Sequence, residues 1–209
     1  MNLLCRLAVV VLFAGLSGSA AGDTPELISS LKQGGYVVVF RHTATDDSQK
    51  DVYPFKFDDM TAQRQLSEAG RQTARQLGAA IKHLGVPAGD VYTSRLNRAV
   101  ETGKLLAGKD VSPMDELTDS GAGSASSMAN PDAKNAKAGR PLRDLANAAP
   151  KTGLNTLVIT HKTNIADAFG KDFSDVREGE ALVLKPSASG PSVLVTRVQA
   201  NEWIALAGS

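Results

Sequence analysis

Two short runs of residues without a charged side chain set the strongest limit on how this chain can fold. Residues 36–40 read Tyr-Val-Val-Val-Phe, and residues 156–160 read Thr-Leu-Val-Ile-Thr. Apolar, β-branched runs without polar alternation are typical of strands that are buried on both faces. Because helical patterns lie between such runs, we predict an α/β fold. Its architecture is expected to be a three-layer sandwich, with a mostly parallel central sheet and helices on both faces.

The other elements follow from periodicity and from residues that begin or end helices. Ser67 is a good N-cap and Gly85 a typical residue after a helix, which predicts a helix between them. The remaining helices are expected at residues 27–32, 96–106, 141–148 and 163–170. The remaining strands are expected at residues 91–93, 181–184 and 193–198, with residues 201–206 as a candidate for another.

The first 21 residues have the pattern of a secretory signal peptide. A start that contains Arg6 is followed by an apolar run at residues 7–16 and by small residues up to Ala21. The run is about half of the roughly 20 residues that a membrane-spanning helix needs. We therefore expect a cleaved segment at residues 1–21, one domain at residues 22–209 and a periplasmic or secreted location. The alternative is an uncleaved amphipathic helix.

The charge balance of the chain excludes a general attraction to polyanions. Lysine and arginine number 23 and aspartate and glutamate 22, so the net charge is +1. We expect no nucleic-acid partner and no stable membrane insertion after signal removal, and any anion must bind locally. With a single cysteine, Cys5, and three histidines, neither an internal disulfide nor a zinc cluster is expected. We predict no metal and no cofactor.

Polar side chains follow three of the predicted strands at the point where each strand ends. Arg41 and His42 follow the first strand, Arg98 lies on the helix after the second, and His161 follows the third. Ligands of open parallel sheets bind beyond these carboxyl ends. Arginine binds phosphate oxygens bidentately, neutral histidine is a nucleophile, and a protonated second histidine would stabilise charge on those oxygens. The pattern therefore predicts a metal-independent phosphate pocket with His42 as its nucleophile.

From residue 36 to about residue 186, the sequence resembles the histidine phosphatase superfamily, which is also called phosphoglycerate-mutase-like. Residues 41–45 are similar to its Arg-His-Gly-x-Thr signature, and residues 94–102 to its Ser-x-x-x-Arg-Ala-x-x-Thr segment. Residues 65–71 resemble its Leu-Ser helix start, and residues 160–165 its second histidine motif. Residues 179–181 are similar to a turn found in small exported bacterial members.

By this resemblance His42 would be phosphorylated, Arg41, Arg98 and His161 would complete the phosphate pocket, and Thr45 would help to shape the loop. Two positions depart from the family pattern. Thr43 and Lys162 replace common glycines, and the β-branched Thr43 would either narrow the pocket or restrain the loop.

The general acid that protonates the leaving oxygen stays open between several carboxylates. Asp119 matches the position that the resemblance implies, and Glu116 is its neighbour. Glu180 is a third candidate, although a structural role at a strand edge is the simpler interpretation of it. Asp46 and Asp47 in the first loop follow as further alternatives.

We therefore expect an exported, metal-independent phosphomonoesterase that acts on a small phosphomonoester through a phosphohistidine intermediate. The alternatives are a catalytically weak or inactive phospholigand-binding protein on the same fold, and a phosphomutase. The physiological substrate and the oligomeric state have no signal in the sequence.

Overall fold

A computed structural model describes residues 24–118 and 138–208 of the chain. The predicted signal peptide at residues 1–21 and the acid candidate Asp119 therefore lie outside the described residues. Within the two described ranges, no helix has both the length and the apolar character that a bilayer crossing requires.

Six strands form one sheet in the spatial order β3-β2-β4-β1-β5-β6. Their bounds are β1 Val37–Arg41, β2 Ala88–Ser94, β3 Ser112–Met114, β4 Asn155–Thr160, β5 Ala181–Lys185 and β6 Val193–Val198. The strands β1 to β4 are parallel, whereas β5 is antiparallel to both of its neighbours, β1 and β6. The predicted α/β fold with a mostly parallel sheet is confirmed.

Helices cover both faces of this sheet. Their bounds are α1 Thr24–Gln33, α2 Glu68–His83, α3 Asn97–Ala107, α4 Arg140–Asn147, α5 Lys162–Phe169 and α6 Ala200–Ala207. Alternate side chains of β1 enter two separate cores, because successive residues of a strand point to opposite faces. Val38 and Phe40 pack with residues of α1, α2, α3 and α6, whereas Val37 and Val39 pack with residues of α4 and α5. Burial on both faces explains why β1 has no polar alternation.

Two short elements differ from the sequence-based expectation. Residues 201–206, a strand candidate, lie in helix α6, because Gln199 and Glu202 form a reciprocal capping box that starts a helix there. Only Trp203 of that helix is fully buried, which is the pattern of one helical face. Strand β3 was not predicted, since it has three residues, includes Pro113 and has no periodicity of its own.

The register between the two central strands places the ends of β1 and β4 side by side. Arg41 is paired with Thr160 in the parallel ladder, and each of them is followed directly by a histidine. The ladder continues for one more bond, since the His42 N–H donates to the Thr160 carbonyl at 3.0 Å. This pairing brings together two histidines that are 119 positions apart in the sequence.

Candidate functional site

Two buried histidines lie at the carboxyl ends of the two central strands. His42 and His161 are each 3% exposed. Their ring centroids are 5.2 Å apart, and the ring planes are inclined by 63°. The structure therefore brings together the two histidines that the sequence singled out.

The hydrogen bond of His42 determines which of its nitrogens can react. Its Nδ1 lies 2.8 Å from the Thr43 carbonyl oxygen. A carbonyl can only accept, so Nδ1 carries the hydrogen and Nε2 keeps a lone pair in the neutral ring. Burial lowers the pKa of His42 well below its usual value, and the charge of Arg98, together with that of His161 whenever His161 is protonated, acts in the same direction. His42 is therefore expected to be neutral, with an unprotonated Nε2.

Thr43, which stands where the related family has glycine, restrains this loop through contacts with Thr102. The side chain is fully buried, and its hydroxyl lies 3.2 Å from the Thr102 hydroxyl. The Thr102 hydroxyl donates to the Arg98 carbonyl at 2.7 Å, so the Thr43 hydroxyl is the donor in the threonine pair. The Thr43 N–H also points to Thr102 Oγ1, at 3.3 Å. The nucleophile loop is thus tied to α3, the helix that carries Arg98.

Arg98 is part of the pocket wall. Its side chain is 1% exposed, and Nη1 donates to Asp51 Oδ1 at 2.9 Å. Although it lies on a helix, Arg98 therefore does not face solvent.

Arg41, the last residue of β1, is also paired with a carboxylate. Its Nη1 donates to the Val176 carbonyl at 2.9 Å, and its Nη2 to Glu178 Oε1 at 3.2 Å. Burial lowers the pKa of Arg41, the charge of Arg64 lowers it further, and Glu178 opposes this shift. A guanidinium stays charged over the whole physiological range, so Arg41 contributes a fixed positive charge.

Arg64 is a third cation of the pocket, which the sequence pattern did not predict. Its charge contributes to lowering the pKa of both Arg41 and His161, so it lies close to both. The chain returns to the pocket because Leu66 forms an isolated antiparallel bridge with Thr45. A usable signal was the position of Arg64 just before the Leu66-Ser67 helix start.

Thr45 helps to shape the loop through its bridge with Leu66. Its contact with a substrate stays a prediction.

His161 differs from His42 in its partners. Its Nε2 lies 2.8 Å from Ser94 Oγ, and its Nδ1 is buried without a hydrogen-bond partner among the residues that the structure describes. Burial lowers the pKa of His161 well below its usual value, and the charges of Arg98, Arg64 and Arg41 add to this effect. These effects favour the neutral ring, so the predicted protonated His161 requires a negative charge beside it. A bound oxyanion would offset the three arginines and favour the protonated ring.

The acid candidates that the structure describes differ in their hydrogen bonds and in their exposure to solvent. Glu180 is buried, its Oε1 accepts from Arg197 Nε at 2.6 Å, and its Oε2 accepts from the Arg177 N–H at 2.7 Å. This carboxylate is held as a structural acceptor. Glu116 is exposed on the turn after β3. Asp46 is half-buried, and hydrogen bonds from Ser48 lower its pKa.

Asp47, the other alternative in the first loop, is 95% exposed and lies 3.9 Å from Arg64. Lys162 is the first residue of α5 and is half-buried.

In residues 24–118 and 138–208, the histidine, cysteine, aspartate and glutamate side chains form no group of three or more that could hold a metal ion.

Comparisons with known proteins agree with this geometry. Residues 37–157, more than half of the chain, match the family described as histidine phosphatase superfamily (branch 1). No curated protein matches the chain in sequence. Three solved structures show the same fold, all at sequence identities too low to indicate more than the fold.

The first is the protein histidine phosphatase SixA complexed with tungstate, with 16% identity and a TM-score of 0.55, covering 79% of this chain and 97% of that one. The second is a phosphoserine phosphatase mutant from Entamoeba histolytica in complex with phosphoserine, with 13% identity, a TM-score of 0.55 and coverages of 80% and 98%. The third is the alpha-ribazole phosphatase from Shigella flexneri, with 16% identity, a TM-score of 0.51 and coverages of 77% and 96%.

Proposed function

The chain belongs to the histidine phosphatase superfamily, and we propose that it is a metal-independent phosphomonoesterase that works through a phosphohistidine at His42. One observation carries this proposal. The Thr43 carbonyl holds the Nδ1 hydrogen of a neutral His42, which leaves the lone pair of Nε2 for attack on phosphorus.

The proposed reaction has two steps at this nitrogen. His42 Nε2 attacks the phosphorus atom in line, the N–P bond forms, and the ester P–O bond breaks with its electron pair on the leaving oxygen. A general acid gives that oxygen a proton, and the alcohol departs. Water then attacks the phosphohistidine and gives a proton back to the carboxylate, and the N–P bond breaks with its electron pair on Nε2. This step releases inorganic phosphate and regenerates the general acid and neutral His42.

The charges of the pocket fit the needs of such a transfer. Arg41, Arg64 and Arg98 supply positive charge around the site where the phosphoryl oxygens would lie. Preorganised donors of this kind stabilise the transition state because they are already oriented in a site that excludes water. His161 would join them as a donor once a bound dianion has raised its pKa.

For the general acid we propose Asp119, on the resemblance alone. Of the described alternatives, Glu180 and the half-buried Asp46 are each held by two donors, whereas Glu116 and Asp47 are exposed. The two-step reaction at His42 does not depend on which carboxylate gives the proton.

The substrate is proposed only at the level of a small phosphomonoester. The similar structures bear names as different as protein histidine phosphatase, phosphoserine phosphatase and alpha-ribazole phosphatase. The same fold thus serves different leaving groups, and substrate choice depends on residues outside the phosphate pocket. We also propose export of the protein, which the pattern of residues 1–21 supports.

Rapid-quench labelling tests the proposal directly. Protein mixed with a ³²P-labelled phosphomonoester is expected to carry an acid-labile, base-stable label, as a phosphoramidate does. A His42→Ala variant is the matched control and should carry none. Binding of inorganic phosphate without label or turnover on a panel of monoesters would contradict the proposal and support the phospholigand-binding alternative.

A further inference from the structure

One carboxylate in the loop between β1 and α2 contacts two of the pocket arginines. Asp51 Oδ1 accepts from Arg98 Nη1 at 2.9 Å and from the main-chain N–H of Arg64, also at 2.9 Å. The Asp51 side chain is 19% exposed and that of Arg98 is 1% exposed. A single oxygen therefore joins the helix that carries Arg98 to the loop that carries Arg64.

The surroundings of this pair show that its position is built into the fold. The Val52 N–H donates to the Ala62 carbonyl at 2.9 Å, which closes the loop immediately after Asp51. Gln63 donates from Nε2 to the Phe57 carbonyl at 2.8 Å, and its Oε1 accepts from the N–H of Asn97 at 2.9 Å. Asn97 is the residue before Arg98. The loop is thus closed on itself beside Asp51, and Gln63 fastens it to the first residue of α3.

Burial of Arg98 explains why the pair must be well ordered. A buried guanidinium that loses its counter-charge is strongly destabilised, and here the like charges of two other arginines lie nearby. The guanidinium is also planar, so a bond at Nη1 together with a buried stem fixes the plane of all its N–H groups. Catalysis by oriented donors depends on that plane, because small misplacements at a reacting group lower the rate strongly.

We propose that Asp51 is a positioning residue of the phosphate pocket, which fixes the guanidinium of Arg98 and the main chain at Arg64 relative to His42. The proposal rests on the proposed phosphatase function for its kinetic consequence, and on the geometry alone for its effect on anion binding. Asp51 acts through Arg98 and Arg64 and has no contact with the phosphoryl group in this role.

Two substitutions of equal charge separate orientation from electrostatics. Asp51→Asn removes the negative charge but keeps an oxygen that can accept from both donors, whereas Asp51→Ala removes the charge and the acceptor. Any gain in anion affinity from loss of the carboxylate is common to both variants. The difference between the two therefore measures the acceptor alone.

The experiment measures kcat, KM and the Kd of tungstate by titration calorimetry for the full chain. We expect kcat/KM of Asp51→Ala to lie about 10- to 100-fold below that of Asp51→Asn, mostly in kcat, which is the range for a hydrogen bond to a charged group. We expect its tungstate Kd to be about 10-fold weaker than that of Asp51→Asn. Asp51→Asn should lie between the wild type and Asp51→Ala, because it loses the counter-charge of Arg98 but keeps the acceptor.

The exposed pair of Arg95 with Asp115 provides a matched control. Its Nη1 to Oδ1 distance is also 2.9 Å, but the side chains are 40% and 68% exposed. Asp115→Ala should change neither activity nor tungstate binding by more than about twofold, because exposed pairs contribute little.

Three results would overturn the proposal. Equal values for the Asn and Ala variants would leave Asp51 as a counter-ion only. A loss in both variants that is confined to esters with poor leaving groups would make Asp51 the proton donor. Asp51→Ser, which keeps a short polar side chain, is the second variant if Asp51→Ala does not fold. If neither variant folds, Asp51 is required for folding and is not a positioning residue.

The two proposals fail separately. If no monoester is hydrolysed but the tungstate Kd values of the Asn and Ala variants differ as expected, the phosphatase function is wrong and the positioning role stands. If the wild type turns over and the two variants agree in both measurements, only the positioning role is wrong.

Discussion

The two histidines of the pocket occupy equivalent places in the sheet, yet their hydrogen bonds prepare them for different work. Each follows a central parallel strand, each is buried, and burial together with nearby cations lowers the pKa of each. Nδ1 of His42 is bound to a main-chain carbonyl, whereas Nε2 of His161 is bound to the hydroxyl of Ser94. A carbonyl accepts only, but a hydroxyl can accept or donate.

This difference shows how one residue type can serve as nucleophile and as electrostatic partner in one pocket. The fixed acceptor on His42 selects the tautomer whose Nε2 is basic. The hydroxyl beside His161 tolerates both the neutral and the protonated ring, so this histidine can gain a proton when an anion arrives. The following predictions test that division, from the largest expected effect to the smallest.

Removal of the nucleophile should have the largest effect. His42→Ala is expected to abolish phosphatase activity and to keep the fold, because His42 follows the core strand β1 and does not form part of it. Steady-state kinetics and circular dichroism measure the two properties. Residual kcat/KM above about one part in 10², a loss of only about 2.7 kcal/mol, would contradict covalent catalysis by His42.

Loss of the proton donor should differ from loss of either histidine, because the size of the activity loss should depend on the leaving group. Asp119→Asn is expected to slow an alkyl phosphate by about 10²- to 10⁴-fold, the usual range for general acid catalysis, and p-nitrophenyl phosphate much less. The reason is that p-nitrophenolate leaves without a proton. Glu116→Gln and Glu180→Gln serve as parallel controls. An equal loss for both esters would instead indicate that Asp119 has a positioning or folding role.

The pH dependence of stability should report both buried histidines. Each has a folded-state pKa well below its usual value of 6.5, so the unfolded chain binds their protons more readily. The free energy of unfolding should therefore decrease as the pH falls below about 6.5, by up to about 1.4 kcal/mol per pH unit for each histidine.

Urea denaturation between pH 7.5 and pH 5.5 measures this slope. His161→Gln should remove the share of the slope that belongs to His161. A wild-type slope unaffected by His161→Gln would mean that His161 is protonated in the folded protein without a bound anion.

Chelation should have no effect. The positive charge of the pocket comes from Arg41, Arg64 and Arg98, so activity is expected to persist in millimolar EDTA. Loss of activity that one particular metal restores would show that the histidines bind a metal ion and do not form a phosphate site.

Much of the sheet was predictable because burial on both faces leaves a direct mark on the sequence. The strands β1 and β4 consist almost wholly of apolar and β-branched residues, and parallel pairing then requires their ends to meet. The proximity of His42 and His161 followed from that alone. Helix α6 was not predictable in the same way, since a capping box at Gln199 decided between helix and strand.

The loop between β1 and α2 was the part of the site that the sequence did not predict. Loops have no periodicity, and the positions of Asp51 and Arg64 depend on long-range contacts such as the bridge of Thr45 with Leu66. The ion pair of Arg98 with Asp51 was not predictable either, because the two residues are 47 positions apart in the sequence. Residues that act through tertiary contacts leave no local pattern.

The pairing of Arg41 with Thr160 makes enzymatic activity a gauge of strand alignment. A slip of one residue between β1 and β4 would displace the two histidines by about 3.3 Å and turn the side chains of one strand to the opposite face. Such a molecule would show the same strand content by circular dichroism but would have no phosphatase activity. During refolding, recovered turnover would therefore count only the molecules whose central strands had joined in the native alignment.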